Sequence, residues 1–89
     1  MTHEVFVNES IDVLVRTLQN GEVRPTSFLW RGKTHYVNDL GRQWDERSGG
    51  KTLRCFLLQT VEGNTFELRW ETGTTTWVIQ RAWLRDLVV

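Results

Sequence analysis

Arginine and tryptophan recur together along this chain. Trp30-Arg31, Trp44 with Arg42 and Arg47, Arg69-Trp70, and Arg81 between Trp77 and Trp83 each set a flat indole near a guanidinium. Such pairs suit one of two jobs. Unstacked bases of a single-stranded nucleic acid lie on exposed rings while cations meet the phosphates. Alternatively, the rings fill a core and the arginines cover their edges by cation–π contact. Lys plus Arg number 11 against 11 Asp plus Glu, whereas nucleic-acid binders carry a basic excess, so the count favours the core reading. Only residues 25–59 are basic, with six bases against three acids. Trp44, Arg42 and Arg47 sit in an expected mid-chain loop, outside the clear alternation of core residues. They are the first candidates for a working surface, and Trp30 and Arg31 are the second.

Other constellations promise less. Ser48-Gly49-Gly50-Lys51-Thr52 resembles the end of a phosphate-binding loop, but Asp45 stands where that motif needs glycine. The residues that follow read as a strand, not as the helix whose amides would face a phosphate. A plain hairpin loop is expected. Cys55 with His35 could pair a thiol with a base, but Cys55 lies between apolar neighbours, where a thiol is inert. His35 with Asp39 or Asp45 is a thin ligand set, and a surface histidine is expected. The acid pairs Asp45-Glu46 and Glu67/Glu71 are expected to be solvated and therefore unsuited to acid–base work. No catalytic residue, cofactor or metal is expected.

The elements that must position these residues follow from punctuation and alternation. Glycines at 21, 32, 41, 49, 50, 63 and 73 break the chain at the rhythm of short antiparallel strands. Phe66, Leu68 and Trp70 alternate with Glu67, Arg69 and Glu71, which predicts a strand with its acids and arginine toward water. Residues 53–61 carry apolar side chains on both faces and read as the central strand, forming a hairpin with 64–71. Residues 26–37 form another hairpin through Arg31-Gly32-Lys33, and 75–84 the last strand. Residues 11–18 fit a helix or a strand; Ile11, Val13, Val15 and Thr17 are all β-branched and favour the strand. Residues 40–44 are either a strand with a bulge at Gly41 or a short helical turn.

The expected fold is one small all-β domain over residues 1–89, with 1–9 as a flexible tail. About five or six strands in meander order make a curled antiparallel sheet or a partly open barrel. Five tryptophans in 89 residues supply the large buried areas that a thin core needs. One cysteine excludes an internal disulfide. No run approaches the roughly 18 apolar residues that cross a bilayer, and the acidic N-terminus lacks a leader pattern. The expected place of work is the cytoplasm, without a membrane partner.

Ile11-Asp12-Val13, Pro25, Phe28-Leu29-Trp30-Arg31-Gly32, Tyr36-Val37, Trp44, Phe66-Glu67-Leu68 and Trp77-Val78-Ile79 occur in an order that resembles a family of short, uncharacterised bacterial domains. Some of its members sit beside or at the end of proteins resembling Y-family DNA polymerases. The resemblance implies a setting in DNA-damage handling and carries over no catalytic residue. The residues themselves lead to a non-catalytic binding module. Its expected partner is a protein or a second copy, taken at a strand edge left unpaired in 11–18 or 75–84. The alternative is single-stranded nucleic acid on the Arg/Trp surface.

Overall fold

The computed structural model describes residues 2–85; Met1 and residues 86–89 of the expected domain lie outside the described residues. Six strands run in order: β1 Thr2–Thr17, β2 Val23–Trp30, β3 Lys33–Ser48, β4 Lys51–Thr60, β5 Thr65–Glu71 and β6 Trp77–Arg85. Each pairs antiparallel with the next, and β6 returns to β1, so the meander closes into a ring. The ring is uneven because two long strands each serve two halves. β1 pairs with β6 through residues 2–11 and with β2 through 12–17. β3 pairs with β2 through residues 33–36 and with β4 through 37–48. A five-stranded half (β3-β4-β5-β6-β1) therefore faces a three-stranded half (β1-β2-β3).

Bulges let these strands turn the corner. Register slips fall between Phe6 and Glu9, Leu14 and Val15, Val37 and Asp39, and Leu40 and Gln43. Extra residues at such points bend and twist a strand. Gly41 lies in the last slip, as its position suggested, and a Cβ there would come within 3.1 Å of the Leu57 carbonyl oxygen. At the β2–β3 turn, Arg31 and Gly32 have φ of 51° and 76°. Positive φ at both central residues is the two-residue hairpin geometry that matches strand twist. Lys33 consequently belongs to β3, opposite Trp30.

Residues 2–9 are not a flexible tail. They form the first half of β1, where Val5 lies opposite Ala82 and Val7 packs on the core. The seam with β6 half-buries these two valines, a gain that a free segment would forgo. Residues 11–17 are strand, as their β-branching favoured.

The core is aromatic. Phe66 is fully buried and makes T-shaped contacts with Phe28 and Trp30, at centroid distances of 5.0 and 5.6 Å. Trp77 stacks between Phe56 at 5.4 Å and Trp70 at 5.7 Å. Leu58, Leu68, Ile79 and Ala82 fill the space between these clusters. Trp30 and Trp77 are thus core residues, while Trp44, Trp70 and Trp83 are half-buried.

Candidate interaction surface

The mid-chain candidates stand on β3, not in a loop. A hairpin register from Ser48 opposite Lys51 to Trp44 opposite Cys55 extends the strand through them. Alternation then puts Arg42, Trp44 and Glu46 in one row on the outer face of the five-stranded half. The Arg42 guanidinium lies 5.2 Å from the Trp44 ring centroid. Trp44 Nε1 donates to Glu46 Oε2 at 2.8 Å. Arg47 is exposed and makes no ion pair among the described residues. Glu46 was not among the candidates, although two-residue periodicity in 42–46 would have placed it beside Trp44.

From Glu46 a ladder of charges crosses the sheet. Arg69 Nη1 lies 3.4 Å from Glu46 Oε1, and Arg69 Nε donates to Glu67 Oε2 at 3.1 Å. Arg81 Nη2 donates to Glu67 Oε1 at 3.0 Å, and Arg81 Nη1 donates to Glu4 Oε1 at 3.3 Å. Four strands are tied by side chains on a face expected to be wet. Glu67 is only 2% exposed, against the expectation that it points into water. Its cross-strand neighbours Leu57 and Arg81 cover it. A buried carboxylate persists only when cations or donors satisfy it, and here two guanidiniums do so.

Cys55 lies on this same face, beneath its cross-strand neighbours Trp44 and Arg69. It is fully buried, and burial pushes its thiol up to about 11. The protonated sulfur is a poor nucleophile. His35 is elsewhere, inside the three-stranded half, so no thiol–base pair forms. It is not a surface residue: its register opposite Phe28 turns it inward, where it stacks on that ring at 5.2 Å. His35 Nδ1 lies 3.3 Å from Glu62 Oε1. Asp45 points to the other side of β3, where Arg54 Nε donates to it at 3.0 Å and holds its carboxyl below the usual range. Among the described residues no three His, Cys, Asp or Glu side chains gather as a metal site. Gly49 and Gly50 form the β3–β4 turn, and strand follows them, as expected of a plain hairpin.

The second candidate pair serves the fold. Trp30 is 7% exposed and donates its Nε1 to Glu9 Oε1 at 3.0 Å. Arg31 lies over the same indole at 4.6 Å and donates to Glu9 Oε2 at 2.8 Å. With Arg31 as the leading cause and Trp30 as the second, the Glu9 carboxyl sits below its ordinary value. This cluster fastens the tip of the β2–β3 hairpin to β1, and its ring is closed to a stacked base.

The edges match expectation in part. β6 is flanked by β5 and β1, so 75–84 is not an open edge, whereas residues 12–17 of β1 pair with β2 on one side and with no described strand on the other, as expected. Residues 39–48 of β3 also pair with β4 on one side and with no described strand on the other. Residues 2–9 of β1 are likewise paired on one side only. The outer face of the three-stranded half exposes Leu14, Leu29 and Tyr36. No described helix is long and apolar enough to cross a membrane.

A family model described as "Domain of unknown function (DUF6504)" matches residues 1–84. No curated protein and no solved structure matches the chain.

Proposed function

The chain belongs to the DUF6504 family of domains of unknown function, so its role must be read from its geometry, and we propose a non-catalytic protein-interaction module that docks through β3. The observation that carries this reading is the open backbone edge of residues 39–48, on which Arg42, Trp44 and Arg47 stand. An exposed edge accepts a partner strand through main-chain hydrogen bonds, and side chains on alternate positions supply selectivity. We place the module in the cytoplasm, and its resemblance to domains beside Y-family polymerase-like proteins supports a partner in DNA-damage handling.

One observation supports single-stranded nucleic acid as the second reading. Arg42 and Arg47 make no ion pair among the described residues and flank a half-buried indole. Against it, Arg42 lies over the ring that a base would need.

A photo-crosslinking side chain at Gln43, exposed on β3, tests the edge in living cells. Protein adducts are expected from position 43 and not from position 34, an exposed site on the three-stranded half. Equal or absent adducts at the two positions would refute the docking edge. A labelled oligonucleotide that binds at about 50 mM salt and dissociates steeply as salt rises would favour the second reading instead.

A further inference from the structure

The charges along the open edge of β3 are complementary to themselves. Arg42, Trp44 and Glu46 form one row, joined by the ring contact at 5.2 Å and the hydrogen bond at 2.8 Å. An antiparallel copy of this row reads Glu, Trp, Arg. With a two-fold axis through Trp44 and normal to the sheet, each Arg42 lies opposite Glu46 of the second copy, and the two Trp44 rings are neighbours. On the other face, Gln43 meets Asp45 of the second copy. Directly opposed strand residues have Cβ atoms roughly 5 Å apart, within reach of these ion pairs.

We infer that the occupant of this edge is a second copy of the chain, in that register. The inference rests on the reading of β3 as the docking edge. Other registers fit worse. A slip of one residue turns one barrel to the opposite side of the shared sheet. Centring on Asp45 opposes two carboxylates. Centring on Gln43 sets Arg42 against an indole and Glu46 against Leu40. Residues 2–9, also paired on one side only, do not share the property, because they carry Glu4 and Glu9 and no Lys or Arg. Residues 12–17 set Asp12 and Arg16 about Leu14, but the register slip between Leu14 and Val15 falls at the centre of that row. The resulting contact is isologous and closed, joining two five-stranded halves into one continuous sheet.

Sedimentation equilibrium of the whole chain tests the pairing. A mass approaching twice 10.5 kDa is expected at about 100 μM, since one strand seam is a small interface. Arg42→Glu alone and Glu46→Arg alone each oppose like charges and are expected to weaken association at least about tenfold. An equimolar mixture of the two variants restores it, because both contacts in the mixed pair again join opposite charges. Thermal melts check that each variant folds. If Glu46→Arg does not, Arg42→Glu carries the test, since Arg42 makes no ion pair among the described residues.

A chain that stays monomeric, or a mixture no tighter than either variant alone, overturns the inference. If that monomer still yields adducts with another protein from position 43, self-pairing falls and the docking edge stands. If neither dimer nor adduct appears, both fall.

Discussion

Replacing Glu67 by Gln keeps the shape of the buried side chain and removes the charge that Arg69 and Arg81 share. The magnitude follows from exposure. Breaking a fully buried ion pair from one side costs about 3–5 kcal/mol. Here the Arg69 side chain is 23% exposed and that of Arg81 is 41% exposed, so both can partly rehydrate. The share of Arg81 is screened down to roughly 0–1 kcal/mol. Arg69, more enclosed, loses a charged hydrogen bond worth about 1.5–3 kcal/mol, of which the Gln amide oxygen recovers part. The sum is about 2 kcal/mol, or a fall of roughly 8–16 °C in Tm for a domain of this size. Glu67→Leu offers no acceptor and should cost at least as much. Urea unfolding followed by tryptophan fluorescence, with thermal melts by circular dichroism, measures both. A Glu67→Gln chain within about 0.5 kcal/mol of the parent, at unchanged m-value, would refute the claim that this carboxylate fastens the sheet.

Four further outcomes are expected. The Cys55 thiol should resist disulfide reagents in the native state at neutral pH and react at once in urea; native labelling at the rate of a free thiol would contradict its burial. Because its folded value is raised, the contribution of Cys55 to stability is complete below the ordinary thiol range and is lost as pH climbs toward about 11. Glu9 and Asp45 have lowered values, so their stabilisation is present above the ordinary carboxylate range and disappears as pH falls through and below it. Melts between neutral and acid pH should show this, and Glu9→Gln should flatten the dependence. Deleting residues 1–8 should abolish cooperative unfolding, because Arg81–Arg85 lose their β1 partners and the core loses the packing of Val7; a truncated chain melting within a few degrees of the parent would contradict it.

Much of the fold was legible because alternation and turn chemistry are local. Phe66, Leu68 and Trp70 announced their strand, while Gly41 left a bulge and a short helical turn open until the register of β3 with β4 decided for the bulge. What escaped depends on distant strands. Residues 2–9 looked like a tail because their partner in the ladder is β6, some 75 residues along the chain. Glu67 and Cys55 looked like a wet acid and a strand-core thiol. Their burial on the outer face comes from side chains of neighbouring strands lying across them, which no period-two pattern encodes. His35 was misplaced for a similar reason: its inward direction is set by the register of the β2–β3 hairpin. The candidate row at 42–46 was half visible. Its arginine and tryptophan stood out, but reading the segment as a loop hid the alternation that brings in Glu46.

Thr2 stands opposite Arg85 in the ladder between the first and last strands. Directly opposed residues in an antiparallel pair lie about 5 Å apart at their Cα atoms. The two ends of the described chain therefore emerge side by side from the same end of the ladder, one entering the fold and one leaving it. A host polypeptide could carry this ring as a bead inserted into a surface loop, entering and departing without its own framework being pried open. By the same token, the ends could be spliced together and the chain reopened between Gly49 and Gly50 with every strand still in place.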